Sequence, residues 1–169
     1  MPTELKGANA LRKALKQFAP DLDKETRDEM VGFLKPLVKK ARGFMPSNGA
    51  MPSGFVKHEV KTATFPMYDA GEARRGVGYK LTPTKPNRQG WISTVSIHNK
   101  TAAGVIYEWA GRKSRSKFVS NLPGTMTGAG KMQGRAMFKA YNQDEGKAKA
   151  GVIKALEKAA AKFNARGNI

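Results

Sequence analysis

Acid–base chemistry in this chain would have to run through two histidines, His58 and His98, forty residues apart, and through its few carboxylates. An imidazole titrates near neutrality, so His98 is a candidate general base. No motif places a nucleophile or an orienting acid with it. At the end of an expected strand it reads first as a structural or surface histidine. Glu108 stands between Tyr107 and Trp109. Burial among aromatics raises a carboxyl's proton affinity and can make a catalytic acid of it. The same position suits a carboxylate bonded to backbone amides or to a base. With no cysteine in the chain there is no thiolate zinc site, thiol nucleophile, iron–sulfur cluster or disulfide framework. We expect no catalytic residue, no metal site and no cofactor.

Binding chemistry concentrates in the loop Arg112-Lys113-Ser114-Arg115-Ser116-Lys117-Phe118. Arg112, Lys113, Arg115 and Lys117 could hold phosphates while Phe118 stacks a base. The alternative is an arm that docks on an acidic protein surface. Gly111-Arg112-Lys113-Ser114 has the residue types of a phosphate loop but not its spacing, and Gly76-Val77-Gly78 lacks the third glycine of a dinucleotide fingerprint. Asn99-Lys100-Thr101 fits a glycosylation sequon, but Met1 to Lys6 contain no apolar segment of a secretory signal, so the sequon is expected to be without meaning.

The charge balance sharpens the question of partners. The 169 residues include 31 Lys and Arg against 13 Asp and Glu, a net +18. Residues 111–141 carry seven bases and no acid. Such an excess marks either a nucleic-acid patch or a basic surface that meets an acidic neighbour. A hydrophobic content of 40% fits a folded chain long enough to bury a core without staples. No apolar run approaches the roughly 20 residues that span a bilayer, so no membrane role is expected.

The elements that must position these residues follow from periodicity. Leu5, Ala8, Leu11, Leu15 and Phe18 recur at helical spacing, and Ala19-Pro20 ends that helix. A longer helix follows, capped by Asp21 or Asp23, with an inward stripe of Leu22, Thr26, Met30, Phe33, Leu34, Leu37, Val38, Ala41 and Met45. Pro36 should kink or split it. Residues 46–54 read as a flexible loop. Alternation predicts strands over Val56–Thr64, Val77–Leu81 and Trp91–Ile97, the last two joined by a Pro/Asn/Gly loop as in an antiparallel sheet. A short helix is expected over 102–110, a mobile loop over 111–130, and helices over 131–141 and 143–165. Val152, Leu156, Ala159 and Phe163 form the inward stripe of the last, and Lys147, Lys154, Lys158 and Lys162 its outer face. The order gives an α+β fold, N-terminal helices, a central antiparallel sheet and C-terminal helices, in a single domain over 1–169.

Four stretches, in order along most of the chain, resemble a known family. They are Ala10–Leu22 opening into the long helix, Leu37–Pro46 closing it, Ala102–Gly111 with its aromatic–Glu–aromatic–Gly run, and Gly134–Tyr141 before the closing helix. Together they are similar to the small neck, head–tail connector or tail-completion proteins of long-tailed phages (siphophages), also called minor tail components. This sequence departs from the common pattern after Gly111: many relatives have Gly-Thr after the aromatic–Glu segment and then a Pro-Phe pair, whereas here Arg112-Lys113 follows Gly111. The resemblance implies an α+β subunit that assembles with itself into a ring, often six-fold, between portal and tail tube. It implies neighbouring connector and tail proteins as partners, a place in the virion after synthesis in the host bacterial cytoplasm, and no catalysis; the basic excess would then suit either acidic partner rings or packaged DNA in the channel. The alternative carried by charge alone is a basic nucleic-acid-binding protein.

Overall fold

Pro20 divides the first two helices and shows how local chemistry sets the architecture. In the computed structural model, which describes residues 7–56, 66–90, 92–113 and 116–167, α1 spans Ala8–Phe18 and α2 spans Pro20–Gly43. A proline fits the first helical position because its missing N–H would be unpaired there anyway. Asp21 and Asp23, expected as caps, instead stand inside the first turn of α2, where their charge complements the helix dipole. α2 runs through Pro36 without splitting.

The described chain is α+β: helices at both ends and a two-stranded antiparallel sheet in the middle. It gathers into two compact units built of segments distant in sequence. Unit 1 comprises Met1–Pro36, Lys80–Ser96 and Gly146–Ile169, and unit 2 comprises Leu37–Tyr79 and Ile97–Glu145.

Unit 1 is built on α1, the first part of α2, and α8 (Lys147–Gly167). Ala8, Met30, Ala155 and Leu156 form one apolar cluster, backed by Leu81, Val95 and Val152. Leu15, Ala19, Leu22 and Ala159 form another, backed by Leu11 and Phe163. The expected stripes of α2 and α8 therefore face inward, except at Phe33, which is 37% exposed. Phe18 does not: it is 70% exposed, because Ala19 takes the inward position beside Leu15. Gly151 is where the Phe33 ring lies directly on α8, a contact that any Cβ would block. Arg12 is buried and donates to the carbonyls of Leu81 and Thr94, which ties the 80–96 segment to α1. On the outer edge, acids spaced four apart on α2 meet bases spaced four apart on α8. Asp21 pairs with Arg166 at 2.6 Å, Glu25 with Lys162 at 2.6 Å, and Glu29 with Lys158 at 3.2 Å. Arg166 and Lys162 hold the Asp21 and Glu25 carboxyls below the usual range by hydrogen bonding to them.

Unit 2 holds α3 (Ser53–Val56), α4 (Ala70–Gly76), α5 (Ala102–Trp109), α6 (Lys117–Ser120) and α7 (Met137–Gln143), with most of β1 (Val77–Lys80) and β2 (Ser96–Asn99). Its core is aromatic. Phe55 packs against Tyr68 at 5.6 Å between ring centroids and edge-on against Phe118 at 5.3 Å, and Tyr68 lies 6.3 Å from Tyr107. The Tyr68 hydroxyl donates to the carbonyl of Pro46 at 2.9 Å, and burial pushes its ionisation upward.

Several elements differ from expectation for identifiable reasons. β2 begins at Ser96, because Val95 and Leu81 leave the strand pair for the apolar cluster around Met30. The helix expected from 131 starts only at Met137: Gly134 is engaged in a bridge with Thr127, and Gly130–Met132 is a single 3-10 turn. α8 starts at Lys147, since Glu145 and Gly146 both adopt positive φ and break the chain direction. The stretches read as loops contain structure, a 3-10 turn at Asn48–Ala50 in the first and α6 in the second. Of the strand expected over 56–64, only Val56 lies within the described residues, and it ends α3.

Candidate functional site

α5 is short and apolar, and its two ends are chemically defined. The Thr101 hydroxyl caps its N-terminus by accepting from Gly104 N–H at 3.3 Å. Gly111, two residues past its C-terminus, sits at φ 95°, in the left-handed region that favours glycine. Between them, Tyr107 and Glu108 turn inward and Trp109 turns out.

Glu108 is completely buried. Its Oε2 accepts from the backbone N–H of Ala136 at 2.7 Å and of Met137 at 3.0 Å, and its Oε1 from Phe138 N–H at 2.9 Å. These amides open α7, a helix with no side-chain cap of its own. The first N–H groups of a helix have no partner within it, and a negative charge there also meets the positive end of the dipole. Glu108 is therefore the N-cap of α7, supplied from another helix. A Cβ at Gly134 would overlap the Glu108 carboxylate, so glycine is required beside it.

Arg135 completes the exchange in the opposite sense. It is 5% exposed, and its Nη1 donates to the carbonyls of Tyr107, at 3.2 Å, and Ala110, at the C-terminal end of α5. Cations belong at that end of a helix. Burial lowers the guanidinium's proton affinity, and the neighbouring Tyr107 and Glu108 act against that fall. Arg112 adds a third strap. Its Nε donates to Gln133 carbonyl at 2.8 Å, Nη2 reaches the same oxygen, and the guanidinium lies 4.8 Å from the Trp109 ring centroid and 4.9 Å from that of Phe138. Residues 107–112 and 133–138 thus form a reciprocal interlock: an acid on the amides of one helix, a base on the carbonyls of the other.

Of the two readings open for Glu108, the geometry gives a carboxylate bonded to backbone amides. Both oxygens are occupied and neither faces solvent, so this group has no access to an external substrate. His98 lies on β2, with its imidazole beside Gly78 of β1. Among the described residues no group of three or more His, Asp or Glu is placed to hold a metal ion, and no helix is long and apolar enough to cross a membrane. Asn99, the sequon residue, is an internal joint. Its side chain donates to Ala73 carbonyl at 3.1 Å and accepts from Thr101 N–H at 2.9 Å, in a space that Gly76 and Gly104 leave open.

The five residues of the basic loop separate. Arg112 and Phe118 are engaged internally, the first on Gln133 and the second on Phe55. Lys113 and Lys117 are exposed, and Arg115 lies outside the described residues. Among the described residues of the loop, the one aromatic packs edge-on against Phe55. Arg135 is a structural residue of the site that the sequence does not announce, because its partners are the backbone carbonyls of Tyr107 and Ala110. No family model, no curated protein and no solved structure matches the chain.

Proposed function

We propose that the chain is a structural virion protein of a long-tailed phage, a ring-forming subunit at the head–tail interface that acts in neck or tail completion. The reading starts from the ordered resemblance of four stretches. The observation that favours it is that two of them, 102–111 and 134–141, are the two halves of one interlock. Segments that carry a family likeness and engage each other's backbone are the parts that build a subunit, whereas an enzyme's likeness would centre on reactive groups open to substrate. A ring subunit needs two different faces whose rotation closes, together with neighbours above and below. The basic excess suits acidic neighbouring rings or the packaged DNA along the channel.

The alternative, a dedicated nucleic-acid-binding protein, is weakened by the placement of its two strongest candidates. Arg112 turns its Nε and Nη2 to one carbonyl and lies against the Trp109 and Phe138 rings, and Phe118 packs on Phe55. Neither is posed to hold a phosphate or stack a base.

Gold labelling of particles through a tagged copy of the chain tests the proposal. Label at the head–tail junction, in a number consistent with one ring, is expected. Protein found in the cytoplasm of infected cells and never in particles would overturn it. Steeply salt-dependent DNA binding by the isolated chain, with a log–log slope of roughly −0.9 per phosphate contact, would favour the alternative.

A further inference from the structure

Trp109 and Met132 are each about half exposed, at 51% and 50%. Scattered exposed apolar side chains are ordinary, but contiguous ones mark interaction sites. These two are joined through Arg112, which stacks on the Trp109 ring and bonds the carbonyl of Gln133, the residue next to Met132. Tryptophan, methionine and arginine are the types enriched at the centres of protein interfaces. The indole is also held ready. Its helix is fixed by Glu108 and Arg135 and its face is braced by Arg112, so little ordering remains to be done on binding.

The sequence that joins the pair is one-signed. Lys113 follows Arg112, Lys131 precedes Met132, and both are exposed. Residues 111–141 contain no carboxylate, and that of Glu108 is sealed inside. A second copy offering the same patch would bring lysines against lysines. The chain's acidic ridge on α2 is a poor acceptor as well, because Asp21, Glu25 and Glu29 already pair with α8. A nucleic acid would meet the charge but would find Nε and Nη2 of Arg112 turned to the Gln133 carbonyl. Charge complementarity together with the apolar centre selects a different class of occupant.

We infer that Trp109, Arg112 and Met132 form a docking surface for another protein, one that presents an apolar slot for the indole within an acidic rim facing Lys113 and Lys131. This goes beyond ring assembly and does not depend on it.

Fluorescence anisotropy with the full chain tests the inference, using three labelled probes: a peptide of glutamate interleaved with leucine and phenylalanine, a poly-glutamate peptide of equal length, and an oligo-dT strand. The interleaved peptide should bind most tightly, and Trp109→Ala should weaken it roughly thirtyfold, as for an interface hot spot, while poly-glutamate binding stays unchanged. Arg112 keeps its Gln133 and Phe138 contacts in that variant. Should it nevertheless fail to fold, Met132→Ala and Lys131→Glu, both at exposed positions, give the same reading through smaller losses. Equal binding of the interleaved peptide by the parent chain and the variants would overturn the inference. So would Trp109-dependent binding that is tighter for oligo-dT, or a Trp109-dependent self-association of the chain. Any of these failures would leave the location of the protein in particles unaffected.

Discussion

Unit 1 contains 16 basic and 7 acidic residues, and unit 2 contains 15 and 6, so each carries +9. Their carboxylates are used differently. In unit 1, Asp21, Glu25 and Glu29 lie at the surface and meet lysine or arginine side chains across α2 and α8. In unit 2, Glu108 lies in the core and meets three backbone amides, and Asp69 caps α4 by accepting from Glu72 N–H at 2.7 Å. A surface pair is screened by water and salt and costs side-chain freedom, so it contributes little. A buried carboxylate that saturates amides cannot be removed without stranding them. The same net charge therefore corresponds to an adjustable fringe in one unit and a structural necessity in the other.

The largest effect is expected at Glu108. Glu108→Ala leaves three buried or part-buried amides without an acceptor and should cost about 3–5 kcal/mol, seen as a melting temperature lower by roughly 10 °C or more. Glu108→Gln, which keeps an acceptor oxygen, should lose less. Neither loss should depend on salt. If both variants melt like the parent chain, the interlock is not what holds unit 2. Gly134→Ala should come next, at about 1–3 kcal/mol for the forced shift of the carboxylate. An undisturbed melting curve for that variant would show that Glu108 does not sit against residue 134.

An intermediate effect is expected at high pH. Tyr68 and Tyr107 are both held above the ordinary phenol value of 10.0, first by burial. A raised folded-state pKa stabilises the fold fully below the unfolded value, and that contribution is lost as pH rises past it. Stability should therefore fall above about pH 10. Tyrosinate absorbance should show two of the four tyrosines lagging until the chain unfolds. Simple titration of all four at the ordinary value would contradict the buried ring cluster.

The smallest effect is expected at Arg166→Ala, which removes one rung of the surface ladder. Its melting temperature should lie close to that of the parent chain at low salt and coincide with it at high salt. A loss as large as that of Glu108→Ala would erase the contrast between the two units.

How much of this was legible follows from the range of each interaction. The stripes of α2 and α8 were readable because a helix repeats its buried face within its own sequence, as with Leu22, Met30 and Leu34. α4 was missed although Asp69 and Glu72 have the spacing of a capping box. The apolar run that normally follows such a box is replaced by Ala73-Arg74-Arg75. For Glu108 the residue type and its aromatic neighbours narrowed the options to two, and only the distant amides of 136–138 decide between them. The role of Arg135 was not legible, because its partners are carbonyls, which every residue carries, and no side-chain pattern announces them. The ladder on α2 and α8 was readable as two separate faces, but its pairing depends on how the helices pack in unit 1.

Hydrogen exchange at the amides of Ala136, Met137 and Phe138, compared between the parent chain and Glu108→Gln, tests the interlock most directly. In the parent chain these amides, at the start of a helix only seven residues long, should exchange as slowly as the core of unit 2, at low and high salt alike. In the variant they should exchange markedly faster. Exchange at the rate of a frayed helix end in the parent chain, or rates unchanged by the substitution, would contradict the account.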